Sequence, residues 1–343
     1  MLLSIIIPMF NAEKYIQRCL SSIINQNIPA DHYEILVMND GSTDQSSQIV
    51  EQFRLQYQNV FLFTDINEGP DAKRNKGLDI AKGKYIYFVD ADDYLAHNTL
   101  GPLLDLAVEK KLQVLGFKAL FTEEERFFTV AEDLPRPDDM DITTGESFLE
   151  SHRDVRFEIW WYLINREYLN KVGARFDKDN YCSDVMFTLK LFLNAERMVF
   201  YPVHIYRYYQ SQNSLTRDKR EPTYLTRMIR DFKATIIELS QLITECEEER
   251  KLSKILLENL KYRRDYLVFF IIPLMLRANY NYERIQENLS VFRKENAYPI
   301  KDFLGKEYSG MKYKSLNFIF NHSILLKPLI FVFRYSKHRR FVT

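Results

Sequence analysis

The sequence predicts an α/β fold in which a mostly parallel sheet is flanked by helices and followed by a C-terminal helical appendage. Three observations predict it. Strand-like and helix-like hydrophobic periods alternate over residues 1–118, the pattern of strands joined by crossover helices. Polar clusters rich in Asp, Asn and Gly follow the strands where the period changes. Residues 223–296 lose the strand pattern and read as long helices with charged faces.

Taken in order, Ser4–Pro8 is a β-branched run that makes a first strand. Asn11 then caps a helix bearing Tyr15, Ile16, Cys19, Leu20, Ile23 and Ile24 on one face. Glu34–Met38 is the second strand, and after Asp40-Gly41-Ser42-Thr43-Asp44 the period turns helical through Phe53. Val60–Phe63 is a third strand, Asp71–Ala81 a third helix and Tyr85–Val89 a fourth strand. It runs into Asp90-Ala91-Asp92-Asp93, and a helix near 99–110 leads to a strand at Gln113–Phe117. Residues 122–141 carry eight acidic and two basic side chains with two prolines, the composition of an exposed loop. Aromatic density returns over 146–216, so the expected division is 1–218 and 219–343.

Composition narrows the function classes. The 343 residues are 46% apolar and 27% charged, which excludes a disordered or collagen-like chain. Forty-seven basic residues balance forty-seven acidic ones, so no global field recruits nucleic acid. Cys19, Cys182 and Cys246 are too few and too scattered for a disulfide or zinc framework, as expected of a reducing compartment. Met1–Pro8 lacks the flanks of a signal peptide and reads as a buried strand. The uncharged runs Tyr266–Leu276 and Ser315–Leu326 fall short of the ~20 residues that cross a bilayer, so no spanning segment is expected.

In an open parallel sheet, ligands bind outside the carboxyl ends of the strands, so the polar residues there are the candidates. Asp90, Asp92 and Asp93 repel one another unless neutralised. A hard divalent ion shared with a nucleotide diphosphate does this, while a helix-capping turn explains them equally well. Asp40 stands at a strand tip where it can accept a hydrogen bond from a base imide, whereas Asp44 suits a helix cap. Lys73, Arg74 and Lys76 open a helix whose amides already favour anions, or else form a solvated basic face. No P-loop or dinucleotide-binding glycine motif is present.

These residues carry a resemblance. Ser4-Ile-Ile-Ile-Pro8-Met-Phe10-Asn11, Asn39-Asp40-Gly41-Ser42-Thr43-Asp44, Asn67-x-Gly69, Lys73-Arg74-Asn75-x-Gly77 and Phe88-Val-Asp90-Ala91-Asp92-Asp93 resemble family 2 of the inverting glycosyltransferases. The resemblance implies a GT-A fold over 1–218, with a nucleotide-binding half to about 118 and an acceptor half over about 146–218. It implies a nucleotide-sugar site of Pro8, Phe10, Asn11, Asp40, Asn67, Gly69, Arg74, Asp90, Ala91 and Asp92. Asp40 would meet the uracil, Asp90 the ribose side, and Asp92 a Mn2+ or Mg2+ ion on the diphosphate. Lys73 is a departure, since the family often has Ala there. Ser183-Asp184 resembles the family's Glu-Asp pair with its first acid replaced, so the catalytic base passes to Asp184 alone; a first-turn acid favoured by the helix dipole is the plainer explanation. Asp177 and Asp179 are next in line. Tyr206–Thr216 is similar to the segment closing over the diphosphate, with Arg207 as its phosphate contact or as part of a surface strand. Trp160 and Trp161 suit either an acceptor-stacking platform or the core.

The expected activity is metal-dependent, inverting transfer of a hexosyl or N-acetylhexosaminyl group from a UDP-sugar. The acceptor is a hydroxyl of a glycan or polyprenyl-linked precursor of a cell-surface polysaccharide. A membrane-associated nucleotide-binding scaffold without catalysis, and a glycoside hydrolase with paired carboxylates, are the alternatives. From Tyr308 onward seven Lys or Arg interleave with apolar residues and no acid occurs. That composition suits peripheral attachment to an anionic membrane, at the inner face of the cell membrane.

Overall fold

The computed structural model describes residues 1–130, 135–136, 139–177, 180, 182–210, 222–250, 252–301, 308 and 310–339. Two compact units divide the chain: Met1–Lys178 with Ser183–Ser214, and Asp179–Cys182 with Leu215–Thr343.

The first unit is built on an eight-stranded sheet flanked by helices. Its strands are β1 (Leu3–Met9), β2 (Tyr33–Asn39), β3 (Val60–Thr64), β4 (Tyr85–Phe88), β5 (Tyr94–Leu95), β6 (Val114–Thr122), β7 (Tyr162–Asn165) and β8 (Met198–Tyr209). Their spatial order is β3-β2-β1-β4-β7-β6-β8-β5. The helices are α1 (Ile16–Ile24), α2 (Ser46–Gln56), α3 (Pro70–Ile80), α4 (Leu100–Glu109), α5 (Gly145–Ser151), α6 (Arg166–Val172) and α7 (Ser183–Phe192). Both β1 and β2 are buried throughout, which is why they read as continuous apolar runs rather than alternating ones. The chain runs outward from β1 through β2 to β3, then returns to place β4 on the other side of β1. A reversal of this kind is where open α/β sheets place their ligand crevice, here between the carboxyl ends of β1 and β4.

The sheet is less parallel than its first half implies. β7 pairs antiparallel with both β4 and β6, and β5 antiparallel with β8, while β6 and β8 are parallel. β5 is two residues long, too short to establish a period, and β7 lies beyond the alternating strand and helix pattern of residues 1–118. Aromatic packing holds the second half together. Phe88 on β4 lies edge-on to Phe176 at 5.3 Å and to Phe187 of α7 at 6.1 Å, and Phe176 stacks on Phe187 at 4.0 Å. Part of the acidic 122–141 segment is packed rather than solvated: Phe128 stacks on His97 at 4.3 Å and its carbonyl accepts the His97 N–H.

The second unit comprises α8 (Pro222–Glu245), a π-helical turn (Cys246–Arg250), α9 (Lys254–Arg277), α10 (Tyr282–Lys294), α11 (Met311–Asn321) and α12 (Ser323–Arg339). Ser253 and Asn281 cap α9 and α10 through their side-chain oxygens. Phe320, Leu326 and Ile330 of the last two helices are buried, with Phe320 5.1 Å from Phe269 of α9. Ile324, Phe331 and Val332 of α12 are instead exposed. Among the described residues no single helix is long and apolar enough to cross a membrane; α11 and Ser323–Phe333 together are, but meet at a 110° bend.

Candidate active site

The loops leaving β1 and β2 are stitched together. Asn11 has a left-handed backbone, φ +48°, and is not the helix cap expected of it; α1 begins only at Ile16. Its N–H donates to Ser42 Oγ at 3.0 Å and its Oδ1 accepts the Thr43 N–H at 2.8 Å. An Asn tolerates this conformation where a branched residue would not. Pro8 is buried within β1 beside Met38 of β2, and Phe10 stands half exposed just beyond it. Asp44 stands one residue before the N-cap, Gln45, so it is not the cap expected of it; its carboxylate accepts the Ser46 N–H of α2 and the Glu13 N–H, each at 3.0 Å.

Asp40, at the tip of β2, is buried, and its carboxylate accepts the N–H groups of Glu68 at 2.7 Å and Gly69 at 2.9 Å. Gly69 has φ +90°, which a side chain would resist, so this turn depends on glycine. Asn67 is exposed in the same loop. Lys73 lies beneath it, only 1% exposed, donating to the Ile66 carbonyl at 2.8 Å and lying 3.3 Å from Asp40. The basic run at the start of α3 is therefore no solvated face. Lys73 and Arg74 are buried and paired, and Lys76 bonds Asp65 and Glu68.

Arg74 is the hub of the site. Its Nη1 donates to Asp71 Oδ1 at 2.6 Å, its Nη2 donates to Asp90 Oδ1 at 2.8 Å, and its Nη1 lies 3.9 Å from Asp184 Oδ1. Burial opposes the guanidinium charge, but Asp90, Asp184 and Asp71 outweigh it and hold its pKa above the usual range. Asp184 is brought there by packing. Its helix α7 is fixed by Phe187 against β4, and by Thr188 Oγ1, which bonds Tyr162 of β7 at 2.7 Å and the Phe157 carbonyl at 2.8 Å. Asn75, next to Arg74, bonds the Phe176 backbone reciprocally at 2.8 and 3.1 Å. Burial raises the Asp184 pKa to about 7, opposed by Arg74 and reinforced by Asp71, Asp90 and Glu158. A side chain with 27% of its surface exposed remains reachable by a substrate.

The aspartate cluster after β4 splits three ways. Asp90 turns to Arg74. Asp93 is buried and turns to β8, accepting from the Tyr206 hydroxyl at 2.5 Å and the Tyr209 N–H at 2.8 Å; burial pushes its pKa well up. The same Tyr206 hydroxyl accepts the Asp90 N–H at 3.2 Å. Asp92, beside the buried Ala91, is partly exposed, and burial together with the Asp90 charge raises its pKa to about 6. Among the described residues no three Asp, Glu, His or Cys side chains converge as a metal cage. The donor set fits an ion held by one carboxylate and by phosphate oxygens, as hard divalent ions often are.

Arg207 is a correction. Expected at the diphosphate, it is 1% exposed and its guanidinium donates to the carbonyls of Phe127 at 2.9 Å, Thr129 at 2.8 Å and His204. It ties a loop to β8. The two tryptophans are also core: Trp160 stacks on Tyr206 at 4.7 Å, and Trp161 packs among Phe148, Phe192 and Phe200. Of the reserve bases, Asp177 is exposed and Asp179 lies outside the described residues, as do 211–216 of the expected closing segment. Asp71 escaped sequence reasoning because Ser183 reaches it only through the fold; the signals that could have found it were its i,i+3 spacing from Arg74 and its place one residue past a helix-opening proline.

The chain is similar to known glycosyltransferases in sequence and in fold. Residues 4–173 match glycosyl transferase family 2. The uncharacterized glycosyltransferase EpsJ of Bacillus subtilis is 29% identical over 238 residues, covering 68% of this chain and 69% of its own. TarS of Staphylococcus aureus, a poly(ribitol-phosphate) β-N-acetylglucosaminyltransferase, is 30% identical over 203 residues, covering 57% of this chain; the match spans only 33% of TarS. The crystal structure of its residues 1–349 with UDP-GlcNAc superposes with a TM-score of 0.58 at 21% identity, covering 88% of this chain and 89% of that one. The Pyrobaculum calidifontis mannosyltransferase PcManGT, in complex with GDP-Man and Mn2+, gives 0.54 at 16% identity, covering 94% and 85%. The chain thus carries a glycosyl transferase family 2 domain, at residues 4–173, on a GT-A fold.

Proposed function

We propose that the protein is an inverting glycosyltransferase that uses a UDP-sugar to glycosylate a hydroxyl of a cell-surface glycan or its lipid-linked precursor. The observation that carries this reading is the convergence of Asp90 and Asp184, 94 residues apart in sequence, on Arg74 at the crevice between β1 and β4. Asp184 is the base: one of its oxygens takes the proton of the acceptor hydroxyl as that oxygen bonds the anomeric carbon. The bond from the anomeric carbon to the diphosphate breaks, and its electron pair leaves with UDP. A carboxylate with pKa about 7 is half ionised at neutral pH and is a far better base than an ordinary one. A UDP donor is supported by the fold shared with TarS, whose crystal structure is a complex with UDP-GlcNAc.

Asp92 is the residue that would hold a divalent ion, whose charge would steady the departing diphosphate. Asp40 and the Asn67–Gly69 turn form the wall for the base, and Asp90 the ribose side. The reading predicts that Asp184→Asn lowers UDP release from a panel of UDP-hexoses by about 10²–10⁴ while UDP binding is retained. Near-full activity in that variant would overturn it. Asp92→Ala should weaken UDP binding only when Mn2+ is present, by about tenfold or more, as calorimetry would read. We assign the α11–α12 face to peripheral attachment beside a lipid-linked acceptor, on its exposed apolar residues and acid-free basic sequence.

A further inference from the structure

Asp71 takes no part in that chemistry, yet it is buried at the centre of the same cluster. Its two oxygens are both committed. Oδ1 accepts from Arg74 Nη1 at 2.6 Å, and Oδ2 accepts from the Ser183 hydroxyl at 2.6 Å. Ser183 immediately precedes Asp184 on α7, and both Asp71 and Ser183 are buried. The nitrogen that Asp71 holds is the one nearest Asp184, 3.9 Å from its Oδ1. Nη1 carries two hydrogens, and its bond to Asp71 seats it 3.9 Å from Asp184, beyond hydrogen-bond distance.

We propose that Asp71 is a positioning residue for the transfer reaction: by retaining Arg74 Nη1, it keeps that group from pairing with Asp184 and leaves the Asp184 carboxylate free to accept a proton. The proposal rests on Asp184 being the base. A guanidinium bonded directly to Asp184 would stabilise its anion and weaken it as a base, so the seating of Nη1 sets the reactivity. The groups facing Asp184 are Arg74 and Asp71 from α3, Asp90 from the loop after β4, Glu158 before β7, and Tyr162 on β7. Of these, Asp71 alone both adds negative charge near Asp184 and occupies the nearest donor. The serine hydroxyl completes the device by orienting Asp71 from the helix that carries the base. A carboxylate at 183 with a hydroxyl at 71 would put the same charge at the same place, because the two side chains already touch.

The test is the pH profile of kcat/KM for UDP release from UDP-N-acetylglucosamine, with Mn2+, on the full chain. Asp71→Asn removes the negative charge beside Asp184 and weakens the hold on Arg74 Nη1, so the acid limb should move down by about one pH unit. At neutral pH the larger ionised fraction offsets part of the loss of basicity, so kcat should fall about two- to fivefold. Donor KM should hold, because Asp90 still anchors Arg74. The exchange Asp71→Ser with Ser183→Asp should return the limb toward its original position. A kcat loss with an unmoved limb and no rescue is what a purely structural role gives, and would overturn the proposal. Should Asp71→Asn fail to fold, Ser183→Ala removes only the second anchor; a smaller shift in the same direction supports the proposal and an unmoved limb refutes it. Asp184→Asn in parallel separates the two ideas. An active Asp184→Asn enzyme refutes the base assignment, whereas an inactive one beside an unshifted Asp71→Asn refutes only the role of Asp71.

Discussion

Asp184, the proposed base, carries a cost in stability. Its pKa rises from 3.8 to about 7, burial being the largest cause, so its ionised form is disfavoured in the folded state. A raised carboxyl pKa means that the folded state binds the proton more tightly than the unfolded chain does. The stabilising effect of that proton is complete below about pH 4 and lost as pH rises through about 7, the folded value. Asp184→Asn, which cannot ionise, should therefore be the more stable protein at pH 8, by about 1–3 kcal/mol once partial exposure is discounted. The advantage should shrink as pH falls from 7 to 4. Thermal melts across that range provide the check, and a pH-independent difference would contradict the assigned shift. The candidates at this scale were legible where a polar residue follows a strand, as for Asp40, Asp90 and Asp92. Arg207 was not, because an arginine on a strand reads the same whether its guanidinium faces a ligand or three backbone carbonyls.

At the scale of elements, the site depends on how closely α3 lies on β1. Gly77 faces Ile6, and a Cβ there would come within 2.5 Å of the Ile6 Cγ2 atom. Ile6 is fully buried, so it has little room to retreat. Gly77→Ala should cost about 1–3 kcal/mol of overpacking and push back the helix that carries Asp71 and Arg74. Urea denaturation reads the stability term, and UDP release reads the displacement; a variant unchanged in both would show that α3 has slack. The glycine, Asn75 and Arg74 belong to one short motif because one helix must approach the sheet, grip the Phe176 backbone and present its cation together. Strands β1 to β4 were visible in sequence because each is an apolar run that ends at a polar tip. β5 was invisible because a two-residue strand carries no period, and β7 because it lies beyond residues 1–118, where strand and helix periods alternate; Tyr94 and Tyr162 look like core aromatics of any fold.

At the scale of the whole molecule, the last two helices bear on where the transferase works. Ile324, Leu325, Phe331 and Val332 form an exposed stripe on α12, spaced one, seven and eight residues from the first, while Leu326 and Ile330 point inward. Lys312, Lys314 and Lys327 are exposed on the same helix pair. Each lysine near an anionic bilayer contributes about 1 kcal/mol, and inserting each large apolar side chain about 1.5–3 kcal/mol. Ile324→Glu with Phe331→Glu leaves the buried anchors untouched and should abolish flotation with vesicles containing phosphatidylglycerol, with UDP binding unchanged. Equal flotation of variant and parent would remove the membrane role.

What the sequence determined by itself was the alternation of strand and helix, the polar tips at the carboxyl edge and the family to which those motifs point. These are local: periodicity and turn chemistry act over a few residues and survive without knowledge of what packs on them. What only the tertiary structure decided was which of the polar tips act together. It sent Asp93 to Tyr206, turned Arg207 inward, and brought Asp71, Ser183 and Asp184 around Arg74 from segments about 110 residues apart. The physical reason is that hydrogen bonding and charge pairing depend on separations of a few ångströms, and sequence distance carries no information about those until the sheet has closed.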